Sequence, residues 1–332
     1  MTTAFSLRKL SRLYSSHSSR PMELNDASRM VFMSDCHRGN GGRGDDFARN
    51  RLIFLHALAW YRNQGFTYVE AGDGEELWEN GSFSPIHWAY SDIYIRMGFL
   101  HSDGRLIFLW GNHNNLWRKP ENARRQLLNA FYHYYDGRPS PVIQRNNTLP
   151  VHEAIVLKHR ESGLDILVTH GHQGELWSDG LWRISRFLVR RVWRFLQNAG
   201  LRPRITPAGN YALMKEVESR LTAWTRNTGV ALITGHTHQP EFPSPGGSPY
   251  FNCGSCVHPG SITAMEIMNG EIALVKWQVS TPLASGTGAE SHLFMAREVL
   301  EGPVPLAAYA PSSISSSTAA SSAMERGTST AG

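Results

Sequence analysis

Five short apolar runs in this chain each break at once into a polar, glycine-containing cluster, and that repeated junction limits the available folds. MVFM (30–33) runs into Ser34-Asp35-Cys36-His37, and TYVEA (67–71) into Gly72-Asp73-Gly74. RLIFLW (105–110) runs into Gly111-Asn112-His113-Asn114. LDILVT (164–169) meets His170-Gly171-His172, and VALIT (230–234) meets Gly235-His236-Thr237-His238. Continuous apolar runs of this length suit strands buried on both faces. Layered α/β proteins gather their sites at the carboxyl ends of such strands. The expectation is an α/β fold with one site assembled from five strand ends.

The donors in those loops are Asp35, His37, Asp73, Asn112, His113, His170, His172, His236 and His238. Oxygen and nitrogen ligands without a dedicated thiolate suit divalent Mn, Fe or Zn. D-x-H and H-x-H put alternate side chains on one side of an extended segment, so each pair can face one ion. The donors outnumber what one ion needs, and Asp73 is the natural bridge between two. Cys253 and Cys256 form a C-x-x-C with no second pair, so they read as small residues of a strand and turn. Three cysteines in all point to a reducing compartment rather than a disulfide framework.

The series D-x-H, GD, GNH, H-G-H and G-H-x-H resembles the calcineurin-like metallophosphoesterase superfamily, over about residues 30–277. The resemblance implies a four-layer α-β-β-α sandwich and two divalent metal ions, with manganese favoured over iron or zinc. One ion would take Asp35, His37 and His238, the other Asn112, His170 and His236, with Asp73 bridging. His113 would be the catalytic histidine that binds no metal, and Arg38 and His172 would contact the substrate phosphate. The implied reaction is hydrolysis of a phosphomonoester or a phosphodiester/pyrophosphate bond by metal-activated hydroxide. Asn114 stands where the family usually carries an acid, which predicts a weaker acid at His113. Glu76, three residues past Asp73, is expected to support the ligands from behind.

The 332 residues divide into three expected parts. Residues 1–28 are basic and serine-rich and are expected to be flexible, with an organelle transit peptide or a short amphipathic helix through Phe5, Leu7, Leu10, Leu13 and Tyr14 as alternatives. Residues 29–279 form the metallophosphoesterase domain, with a helical lid-like insert at about 173–229. Residues 280–332 are a low-complexity tail expected to be disordered. Within the insert, LWRISRFLVRRVWRFL (181–196) sets Arg183, Arg186, Arg190 and Arg194 on one helical face and apolar residues on the other. A core-packed helix and a lid touching a membrane surface both fit that pattern. A second helix is predicted from Tyr211 to Thr228.

UDP-2,3-diacylglucosamine hydrolases carry a helical insert at this place and share the motif order, which raises a lipid-precursor pyrophosphatase as an alternative. Here, however, the second motif reads GDGEELWE where those enzymes usually follow GD with an apolar pair. A protein Ser/Thr phosphatase-like enzyme and a degenerate metal-binding scaffold are the other readings. The net charge of +5 gathers at residues 1–22 and 181–196, so a basic nucleic-acid track is not indicated. A phosphorylated small-molecule or lipid-linked substrate and a cytoplasmic location, peripheral to a membrane if the lid touches one, follow. No apolar run nears the roughly 20 residues that cross a bilayer.

Overall fold

The computed structural model describes residues 2–133, 138, 148–173, 211–281 and 293–311. It is a mixed α/β structure with two mixed sheets. One sheet has the strand order β13 (Phe294–Pro305), β12 (Glu271–Ser280), β11 (Ser261–Met268), β2 (Arg29–Met33), β3 (Thr67–Ala71), β4 (Leu106–Leu109) and β5 (Val151–His152). The other runs β1 (Met22–Leu24), β6 (Ala154–His159), β7 (Asp165–Thr169), β8 (Ala231–Thr234), β10 (Tyr250–Cys253) and β9 (Pro240–Glu241). All five predicted strands form, but they divide between the sheets: β2, β3 and β4 are parallel neighbours in one, β7 and β8 in the other.

Strand periodicity explains why these runs are apolar on both faces. Met30 and Phe32 face the second sheet's Leu157, Ile166, Val168 and Ile233, while Val31 and Met33 join a separate cluster. That cluster packs the seven-stranded sheet against α2 (Arg51–Asn63), α3 (Ser84–Ser102) and α5 (Leu128–Tyr132), through Phe54, Tyr94 and Phe131 among others. The single turn α4 (Pro120–Asn122) precedes a π-helical segment, Ala123–Leu127, that leads into α5. On the far face of the six-stranded sheet, Val156, Leu167 and Leu232 pack with α1 (Thr2–His17) and α6 (Tyr211–Thr228).

The ends differ from expectation. Residues 2–17 form helix α1, because Leu10 and Leu13 make one stripe that is buried beside Val217, Leu221 and Trp224. Tyr14 donates to Asp165 Oδ2 at 2.5 Å, and Trp224 Nε1 donates to Ser11 Oγ at 3.0 Å. Beyond residue 280 the chain returns as β13, antiparallel to β12, and Leu306 and Tyr309 enter the core between the sheets. An edge strand is held by its backbone ladder and needs no continuous apolar face, so its mixed sequence hides it.

The insert also divides. Its distal helix α6 has the predicted bounds and packs on the sheet as part of the body rather than as a lid. The arginine-rich stretch 181–196 lies outside the described residues. No helix among the described residues is long and apolar enough to cross a membrane.

Candidate metal centre

Backbone bonds tie neighbouring strand ends together within each sheet. Asp35 N–H donates to Gly72 O (3.2 Å), His37 N–H to Asp73 O (2.9 Å) and Gly235 N–H to His170 O (3.0 Å). Five non-glycine residues at these strand ends have left-handed backbone: Asp35 (φ 53°), His37 (46°), Asp73 (49°), His236 (71°) and His238 (60°). Such conformations cost on the order of 1–3 kcal/mol each and persist where the surroundings over-determine them. Every one is a predicted ligand. Two glycines allow the loops to close this tightly: a Cβ at Gly111 would strike Asp73 Oδ1, and one at Gly235 would strike Asp35 Oδ2.

The donor atoms form two neighbouring groups. Asp35, His37 and His238 offer ligand atoms within 4.8 Å of one another, and so do Asp73, His170 and His236. Asp35 Oδ1 lies 3.1 Å from His238 Nε2 and 3.6 Å from His37 Nε2. Asp73 Oδ2 lies 3.0 Å from His170 Nε2 and 3.9 Å from His37 Nε2, between the groups. The remaining carboxylate oxygens are held by backbone: His236 N–H donates to Asp35 Oδ2 (2.7 Å) and His113 N–H to Asp73 Oδ1 (2.8 Å). His170 Nδ1 bonds to Ala71 O at 3.1 Å, which makes Nδ1 the protonated nitrogen and turns the Nε2 lone pair to the site.

Among the described residues, Asn112 Oδ1 and His172 Nδ1 are buried without a hydrogen-bond partner, while Asp35 Oδ1 and His170 Nε2 meet only imidazole and carboxylate atoms of the groups themselves. Orphaned buried acceptors are costly, and two of them beside these groups suit a bound cation. The donor set therefore fits divalent metal. Electrostatics agree in direction for the two carboxylates. Burial alone would raise Asp35, yet the imidazoles of His238 and His170 hold it well below the usual carboxylate range. Asp73 is lowered in the same way, chiefly by His170 and His113, against its burial. Burial depresses His172 and His238, whereas Asp35 and Glu76 raise His37 well above the ordinary imidazole range against its burial.

His113 belongs to neither of these groups but packs edge-on against His37, with ring centroids 4.6 Å apart, and forms a third donor group with His37 and Glu76. Its Nδ1 bonds to Glu76 Oε2 at 2.7 Å, and its ring stacks on Trp78 with centroids 4.2 Å apart. The same Glu76 oxygen bonds His37 Nδ1 at 2.8 Å, while Oε1 accepts the N–H groups of Trp78 (3.1 Å) and Glu79 (3.2 Å). Glu76 is thus the carboxylate that orients His113, the part the sequence reading gave to position 114. Asn114 does not touch the His113 ring through any bond described. Its Oδ1 accepts from Gly111 N–H (2.6 Å), and its Nδ2 donates to Glu75 Oε2 (3.0 Å). The weaker acid expected from Asn114 loses its basis.

Arg38 is also corrected. It is 0% exposed, pairs with both oxygens of Glu70, donates to Glu75 Oε1 (2.7 Å) and packs against the Tyr94 ring. It cannot reach a phosphate. His172 is buried beside His170, with ring centroids 5.4 Å apart, so it borders the donor groups rather than an open substrate surface. Sequence reasoning missed Glu75 and Trp78, although both stand in the GDGEELWE motif whose departure from the related enzymes was the available signal.

No protein-family model matches the chain, and no curated protein matches it in sequence. Solved structures give weak overlap. A cold-active protein-tyrosine phosphatase of a psychrophilic Shewanella shares 15% identity at a TM-score of 0.36, covering 85% of this chain and 82% of its own. A 5'-nucleotidase from Candida albicans shares 14% at 0.29, and the overlap covers 77% of this chain but 48% of the nucleotidase. Overlap at that level assigns neither a fold family nor an activity.

Proposed function

We infer that this chain is a phosphoesterase that uses two divalent metal ions, built as a four-layer α-β-β-α sandwich. The layering is supported by the three apolar clusters, one between the sheets and one under the helices on each outer face. The observation that carries the function is the pair of Asp/His groups with their orphaned buried acceptors. Asp35, His37 and His238 would hold one ion, Asn112, His170 and His236 the other, and Asp73 would lie between them. Two such ions would acidify a water and neutralise charge on a phosphoryl group.

The chain's own residues do the remainder. Glu76 fixes Nδ1 of His113, so Nε2 is the nitrogen left to meet a leaving oxygen and deliver a proton to it. Trp78 holds the ring plane by stacking. A phosphorylated small molecule is the proposed substrate class. The test is hydrolysis of an aryl phosphomonoester and an aryl phosphodiester by the full chain with added Mn²⁺, alongside metal analysis. Activity that needs the metal and disappears in Asp73→Asn is the expected result. Undiminished activity in that variant would falsify the site.

A further inference from the structure

A second buried polar cluster lies directly behind the donor groups. Arg38, Glu70 and Glu75 are all 0% exposed. Glu75 is saturated: Oε1 accepts from Arg38 Nη2 (2.7 Å) and Tyr94 OH (3.1 Å), while Oε2 accepts from Trp117 Nε1 (2.7 Å) and Asn114 Nδ2 (3.0 Å). Tyr68 donates to Glu70 Oε2 at 2.9 Å, on the oxygen that also receives Arg38 Nη1. The backbones of residues 38 and 75 form an isolated parallel bridge. Three loops are joined at one carboxylate: the one after β2 through Arg38, the one after β3 through Glu75 itself, and the one after β4 through Asn114.

Asn114 closes the last of these loops on itself. Its carbonyl oxygen takes the Gly111 N–H, while its amide nitrogen reaches Glu75. The two residues spanned by that closure are Asn112, with an orphaned acceptor, and His113, whose N–H holds Asp73 Oδ1. Only a side chain carrying both a donor and an acceptor can perform this. An aspartate in that position would accept from Gly111 but face Glu75 with a second negative charge at hydrogen-bond distance, where both side chains are fully buried.

We propose that Asn114 and Glu75 are positioning residues: through one buried hydrogen bond they set the loop that aims Asn112 and His113 at the metal ions. The proposal rests on the metal-centre reading above, and it makes the amide at 114 a requirement of this chain rather than a weakened acid.

The test compares Asn114→Asp, Asn114→Ala, Glu75→Gln and the double variant Glu75→Gln/Asn114→Asp in the full chain. Mn²⁺ binding is read by calorimetry, folding by circular dichroism, and kcat and KM with an aryl phosphate. Asn114→Asp and Asn114→Ala are expected to lose Mn²⁺ affinity on the order of 10–100-fold. In both, kcat should fall more than KM rises. The double variant, with a single negative charge across the pair, is expected to recover part of what Asn114→Asp loses. Should Asn114→Asp not fold, Asn114→Ala, which adds no charge, carries the measurement. Wild-type affinity in Asn114→Ala would overturn the proposal while leaving the metal centre standing, and so would a double variant no better than the worse single one. A wild-type chain that binds no Mn²⁺ overturns the metal-centre reading and this inference with it.

Discussion

At the scale of single residues, Glu76 does more than its place in the sequence suggests. One of its oxygens receives Nδ1 of both His37 and His113, so a proposed metal ligand and the proposed proton donor are oriented by the same atom. The carboxyl is held below its ordinary range, against burial, chiefly by His113. Replacing it with Gln puts an amide where one charged acceptor serves two donors. Glu76→Gln should therefore lose Mn²⁺ affinity and turnover together, each on the order of 10–100-fold, as measured by titration and steady-state kinetics. A variant that lost turnover alone would mean that His37 is oriented by something else. The ligand candidates were legible because their chemistry is written in pairs, Asp35/His37 and His236/His238, at a strand's period. The partners of Arg38 were not. With Asp35 and His37 in left-handed backbone the segment is not extended, so no strand period shows that Arg38 turns into the protein to meet Glu70 and Glu75.

At the scale of elements, the helices α1 and α6 support each other on the six-stranded sheet. Trp224 is the largest side chain in that contact, 2% exposed, with Tyr14 edge-on at 6.3 Å and its indole N–H on Ser11. Trp224→Ala should cost about 3–5 kcal/mol in a urea titration, through lost burial and the cavity left behind. A change below about 1 kcal/mol would show that α1 contributes little to the folded state. The five continuous apolar strands and the amphipathic α6 could be read from local pattern. The terminal strand β13 could not, for a physical reason, and helix α1 could be read only as one alternative among three. Helix α1 presents a narrow stripe among serines and arginines, and β13 takes its order from β12's backbone, whose pairing partner lies across a chain reversal.

At the scale of the whole molecule, the site joins the two sheets at one end. Asp35, His37 and Asp73 come from the seven-stranded sheet, while His170, His236 and His238 come from the six-stranded one. The sequence showed that strand ends would meet but not which of them belong to which sheet, because strand order is set by pairing between distant segments. A ligand that binds across this seam stabilises the folded state by mass action, about 2.7 kcal/mol at a hundredfold excess over its dissociation constant. Mn²⁺ should therefore raise Tm in a thermal melt, and a chelator should reverse the rise; a Tm indifferent to both would argue against binding across the seam. The left-handed backbone at Asp35, His37, Asp73, His236 and His238 adds a historical consequence. Glycine and asparagine occupy that conformation with the least strain. A lineage released from the need for the site would be free to drift toward them at all five positions, so retained Asp and His there would record continuing use.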